Sequence, residues 1–251
     1  MCSVVILRRP DHPWPVVVAA NRDEMRDRPW APPARHWPDR PEVRAGLDEL
    51  AGGTWMGVND TGLVAAVLNR VNTLGPAPGK RSRGELVLEA LDHADAVDAV
   101  EALAHLDPEA YRPFNMVIAD NRDAFWIRND GTGITAHPVP EGVSMLTAHD
   151  LDDTAHDARI AHHLPRFRAA PAPDPDAGDW DAWAALLASS DTAPEEQASS
   201  AMCFTLENGF GTVSSSLLAL PAIGRGEEAR PVWLFAAGRP DRAAFEPVPE
   251  S

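Results

Sequence analysis

Cysteine is scarce in this 251-residue chain: there are two, Cys2 and Cys203. Two cysteines make no disulfide framework. Long apolar runs are missing too, and no stretch approaches the 18 or so residues that a membrane-spanning helix needs. The start lacks a basic segment followed by an apolar core, so no secretory signal is expected. Positive charge is the minority sign, with 22 Lys and Arg against 38 Asp and Glu and a formal net charge of −16. Lys80 is the one lysine. Such a surface repels phosphate backbones and anionic lipid, which argues against nucleic acid and membranes as partners. Reduced thiols and no span point to the cytoplasm. What is present suits a globular fold: 44% hydrophobic and 24% charged residues, enough for one domain over 1–251.

Strands dominate both ends of the chain and helices lie between. Residues 2–8 and 15–21 read as a strand pair, as do 54–58 with 63–69 and 114–120 with 124–128. The Pro-rich stretch 25–42 reads as an irregular loop, with Trp30 and Trp37 available to pack. Ser82 and Glu85 have the spacing of a capping box, opening a helical stripe to about Leu106 with a break near Asp95. A second helix is expected from Asp152-Asp153 to about Phe167, and a short one over 180–189. Late strands are expected at 200–206, 212–220 and 231–237. This order gives an α+β fold with antiparallel sheets.

Chemistry concentrates at the start. Removal of Met1 would leave an α-amine on the residue that carries the Cys2 thiol. An α-amine has a pKa of about 7.7–8.0 and can serve as the base for its own side chain. The second strand leads into Asn21-Arg22-Asp23-Glu24, and a hairpin would bring Arg22 and Asp23 beside Cys2. Elsewhere, Asn115 inside an apolar strand needs hydrogen-bond partners. Cys203, between Met202 and Phe204, reads as core packing. His156, His162 and His163 lack the ligands that would complete a metal set, so no metal or cofactor is expected.

Met1-Cys2 followed by Ala20-Asn21-Arg22-Asp23-Glu24 resembles the NRDE family, also called the transport and Golgi organisation protein 2 family. Further blocks follow in order: Gly52-Gly53-Thr54-Trp55-Met56-Gly57-Val58, Arg83-Gly84-Glu85-Leu86-Val87, Phe114-Asn115 through Asp120, and Gly209-Phe210-Gly211-Thr212. The resemblance implies the N-terminal-nucleophile hydrolase fold, a four-layer αββα sandwich of two antiparallel sheets. A more distant likeness joins Val58 through Asn69 to a stretch of penicillin V acylases and bile salt hydrolases. It implies Cys2 as nucleophile and Asn69 as oxyanion donor. Two positions depart from the pattern: Ala148 stands where a second oxyanion Asn is usual, and Val213 where an Arg is usual.

Two functions are therefore expected. One is an amidohydrolase or acyl-transfer enzyme acting on a small substrate. Cys2, Arg22, Asp23 and Asn69 would be catalytic, and Asn21, Asn115 and His149 would contact substrate. Asp23 would hold the α-amine, and Arg22 would favour the thiolate. The other is a non-catalytic intracellular carrier or chaperone. Haem is the ligand that the family resemblance suggests, held by His149 or Cys2.

Overall fold

A computed structural model describes residues 2–226 and 229–250. The chain separates into two compact units: residues 1–28 with 140–247, and residues 29–139 with 248–251.

The first unit is a six-stranded antiparallel sheet. Its strands are β1 (Ser3–Arg8), β2 (Val16–Met25), β10 (Gly142–Leu146), β11 (Phe210–Leu220), β12 (Val232–Ala236) and β13 (Glu246–Pro247). They lie in the order β10-β1-β2-β11-β12-β13, so β1 is an interior strand. One face carries α3 (Ala158–Ala169) and α4 (Asp181–Leu187). Val5, Leu7, Val17, Ala19, Leu217 and Ala219 meet Ile160, Leu164, Phe167, Trp183 and Leu187 there. The alternate residues Val4, Ile6, Val18 and Leu218 are also buried. Burial on both faces is why these strands read as continuous apolar runs.

The second unit is a seven-stranded antiparallel sheet ordered by sequence. It runs β3 (Trp30–Ala34), β4 (Val43–Asp48), β5 (Met56–Asn59), β6 (Val64–Asn69), β7 (Phe114–Ala119), β8 (Ala124–Asn129), β9 (Ile134–Pro138). Helices α1 (Gly84–Leu91) and α2 (Ala96–Ala104) cover one face, where Leu86, Val87, Leu91 and Leu103 pack on Ala65, Met116, Ile118 and Ile127. Two of the sequence blocks meet here. Thr54 N–H donates to Gly84 O at 3.2 Å, and a Cβ on Gly53 would fall 2.6 Å from the Gly84 carbonyl carbon. A side chain at either glycine would push backbone from backbone.

Several local expectations change. The Pro-rich stretch contains β3, whose pairing with β4 shifts register between Ala31 and Ala34. Trp30 packs edge-on against Trp55, and Trp37 donates to Gly52 O at 3.1 Å. Glu85 does not close a capping box: it pairs with Arg81 at 2.7 Å, while Ser82 Oγ accepts only from Gly84 N–H. Asp157, not Asp152 or Asp153, caps α3, accepting from Arg159 and Ile160 N–H. Residues 200–206 form no strand: Ser200 ends a 3-10 turn (Ala198–Ser200), and Thr205 makes an isolated antiparallel bridge to Gly211. Among the described residues, no helix is long and apolar enough to cross a membrane.

Candidate functional site

Cys2 immediately precedes β1 and is half-buried. Its Sγ donates towards the backbone oxygen of Asp23 at 3.8 Å. The hairpin expected from sequence thus exists: Ser3 pairs with Asn21, which brings the chain start level with the Asn21-Arg22-Asp23 segment. Met1, and with it the question of its removal, lies outside the described residues.

Strand alternation divides this segment between two faces. Asn21 and Asp23 turn to the helical face. Arg22 turns to the other, which Cys2 shares by its parity with Val4 and Ile6.

Asn21 is engaged by structural partners. Its amide nitrogen donates to Leu187 O and Met202 O, both at 2.9 Å, and its carbonyl accepts from Ser215 Oγ. A fully buried amide with these partners is a structural tie between β2, the end of α4 and β11.

Asp23 meets the thiol through its main chain, not its carboxylate. The carboxylate is buried and bonded on the other face. Oδ2 accepts from Arg159 Nη1 at 2.9 Å, and the two side chains are 0% and 1% exposed. Oδ1 accepts from Thr212 Oγ1 at 2.9 Å. Arg159 also donates from Nε and Nη2 to Ser199 O, and its guanidinium lies 5.1 Å over the Phe204 ring. Neither Arg159 nor Thr212 emerges from the sequence as a site residue. Thr212 belongs to the Gly209-Phe210-Gly211-Thr212 block, which offered a signal. Gly211 explains the glycine in that block, since a Cβ there would sit 2.3 Å from Phe204 O. Arg159 gives no signal, because an arginine on an amphipathic helix ordinarily faces solvent.

Arg22 is buried and pairs with Ser214 beside a β-bulge. The bulge falls between Thr212 and Ser214, so Val213 is the extra residue. Arg22 acts on the thiol in the expected direction, but its effect is outweighed. Burial pushes the Cys2 thiol up from its ordinary value and the Asp23 charge adds to this; Arg22 pulls the other way with a smaller effect.

Ala148 is buried and lies two residues past Leu146, the partner of Val4 in β1. His149 donates its backbone N–H to Thr147 Oγ1, and its ring lies 4.0 Å from Asp153. Cys203 is buried, as its apolar neighbours suggest. Its Sγ faces Asp241 Oδ1 at 3.5 Å, and burial raises its pKa to about 11. His156 is exposed against Asp153, whereas His163 is buried against Ser200 O.

In the second unit, Asn115 has structural partners. Its carbonyl accepts from Arg70 Nη1 at 2.7 Å and from Trp126 Nε1 at 3.2 Å. These bonds tie Asn115 to the neighbouring strand and to Arg70. Asn69 closes β6 opposite Phe114 and is half-buried. Its parity is that of Ala65 and Val67, which pack under the helices.

Comparison with known proteins places the chain. A family model for Transport and Golgi organisation 2 matches residues 1–220. The Transport and Golgi organization 2 homolog of Mus musculus is 36% identical over 110 residues, covering 42% of this chain. The Bos taurus homolog is 39% identical over 114 residues. The match spans 38% of the length of each of these relatives. Among solved structures, a Caenorhabditis elegans N-acylethanolamine-hydrolyzing acid amidase ortholog superposes with a TM-score of 0.56 at 14% identity, covering 99% of this chain and 100% of that one. A mutant conjugated bile acid hydrolase from Clostridium perfringens gives 0.55 at 12% identity, covering 100% and 97%. Identities this low speak for fold alone. On the residues matched, the chain belongs to the Transport and Golgi organisation 2 family, built on the α+β fold of the N-terminal-nucleophile hydrolases.

Proposed function

We propose that Cys2 is the nucleophile of an amide- or acyl-transfer reaction on a small substrate. One observation carries this reading: the thiol begins an interior strand and lies against Asp23 O at 3.8 Å, in a fold shared with amide hydrolases. Because burial disfavours the thiolate, the reaction needs a base at the moment of attack. The α-amine of a Met1-trimmed chain supplies it. The amine takes the thiol proton while sulfur bonds the carbonyl carbon. The tetrahedral adduct collapses to a thioester, and the departing amine receives that proton. Water, deprotonated by the same α-amine, then attacks the thioester and frees the acid and the thiol. Asn69 is the oxyanion donor implied by the acylase resemblance. Asn69→Ala should lower turnover about 100-fold if its side chain donates; unchanged turnover would remove it from the reaction. The test of the main reading is a panel of small N-acyl amides with trimmed protein. Turnover lost in Cys2→Ala supports it, and turnover that survives Cys2→Ala ends it.

A second reading is a non-catalytic carrier of a small ligand such as haem. It is favoured by the burial that disfavours the Cys2 thiolate and by the apolar side chains of Ala148 and Val213, where hydrolases of this type place polar groups. Titration with haem would give a Soret shift that weakens in His149→Ala. An unshifted spectrum would exclude haem as the ligand.

A further inference from the structure

We infer that Arg159 is a positioning residue for the Cys2 thiol, acting through Asp23. The inference rests on the reading of Cys2 as the reactive group.

Arg159 is nearly at the centre of the first unit, 2% exposed. It reaches from the first turn of α3 across the sheet face to Asp23 Oδ2 at 2.9 Å. Its remaining donors fix it from the other side: Nε and Nη2 hold Ser199 O at 3.1 and 2.6 Å. Asp157, which caps α3, also accepts from Thr147 Oγ1, so the base of the helix is tied to the chain leaving β10. Thr212 holds the second carboxylate oxygen. Asp23 is therefore gripped from two elements, and its peptide carbonyl is delivered to Cys2 Sγ. The position matters because the ladder is irregular there. Asp23 opposes Thr212, Arg22 opposes Ser214, and Val213 bulges between them. The side-chain grip adds to the ladder pairing of Asp23 with Thr212 at the point where the register shifts.

The arrangement also settles where the Asp23 charge acts. An unopposed carboxylate near a thiol resists its ionisation. Arg159 Nη1 meets the Asp23 carboxylate at 2.9 Å on the far face of the strand, opposite the face that Cys2 shares. Such a pair is costly to bury, and removing one partner strands the other.

The experiment is the pH profile of iodoacetamide alkylation at Cys2, resolved by mass from Cys203. Cys203 serves as the fold control: it is buried with a pKa of about 11, so fast labelling there reports unfolding. Rates are compared with the wild type at each pH. A folded Arg159→Met, which loses the grip on Asp23 and Ser199 O, should change the Cys2 rate about tenfold. If Arg159 acts through Asp23, the double variant Arg159→Met with Asp23→Asn should change it no further than either single variant. A folded Arg159→Met with the wild-type profile would overturn the inference, as would single-variant effects that simply add. Should Arg159→Met fail to fold, Arg159→Lys replaces it, keeping the charge but losing the fork that grips both Asp23 and Ser199. It should label Cys2 severalfold more slowly or faster. A wild-type rate in Arg159→Lys would equally overturn the inference. Labelling reads the thiol and not turnover, so these outcomes stand whether or not the protein hydrolyses amides.

Discussion

Acid should unfold this protein through His163 in particular. The ring is fully buried on the inner side of α3. Its Nε2 faces Ser200 O at 3.2 Å, and its Nδ1 faces Arg166 Nη1 at 3.4 Å. The neutral tautomer satisfies both by donating from Nε2 and accepting at Nδ1. A second proton would sit on Nδ1, directly against a guanidinium. Desolvation is the main cause and the neighbouring His162, Arg166 and Arg159 charges add to it, lowering the pKa from 6.5 to about 4. The folded value lies below the unfolded one, so the unfolded chain binds more protons between them. Stability contributed by neutral His163 is complete above pH 6.5 and is lost as pH falls towards 4. A shift of about 2.5 units is worth about 3 kcal/mol, a large part of a typical domain stability of 5–15 kcal/mol. Urea midpoints of wild type and His163→Gln, measured from pH 7.5 to 4, isolate this group from the carboxylates that titrate in the same range. Gln can keep a donor towards Ser200 O and cannot ionise. The wild type should lose about 3 kcal/mol more than the variant across that window. Parallel curves would refute the assignment.

Two other variants probe the framework. Asn21→Ala should cost about 2–4 kcal/mol, since Leu187 O, Met202 O and Ser215 Oγ lose a buried partner, with Cys2 labelling unchanged in the folded fraction; a denaturant titration and mass-resolved alkylation check both halves. Pro165 interrupts α3 on its exposed side, where it lacks an N–H, so Pro165→Ala should stabilise by about 1–3 kcal/mol and raise Tm in calorimetry.

The parts of this fold that the sequence reveals are those where local pattern and burial agree. Val4-Val5-Ile6-Leu7 and Val16-Val17-Val18 are apolar on both faces and read at once as interior strands. The helical stripe around Leu86, Leu91 and Leu103 follows the period of a helix, and Asp95 both breaks and caps it, accepting from Asp98 N–H. β3 escapes because Pro32 and Pro33 suppress the strand signal while the bulged pairing with β4 tolerates them. β9 is half-exposed at a sheet edge, where the apolar signal fades. The site is legible as far as main-chain adjacency carries: Cys2 beside Asp23 follows from a hairpin. It is not legible where side chains turn to opposite faces. Asn21 and Asp23 look alike as neighbours of a catalytic cysteine, yet alternation commits both to the helical core. The Asp23 partners Arg159 and Thr212 lie 136 and 189 residues away in sequence, beyond any local rule.

The central claim is that Cys2 takes an acyl group from a substrate, and acyl-enzyme trapping tests it most directly. Protein confirmed by intact mass to begin at Cys2 is mixed with a p-nitrophenyl ester, quenched in acid and digested, and the N-terminal peptide is weighed. The account predicts a burst of p-nitrophenol and a hydroxylamine-sensitive acyl mass on the Cys2 peptide, both absent in Cys2→Ala. An unmodified Cys2 peptide, with p-nitrophenol released equally by Cys2→Ala, would contradict it.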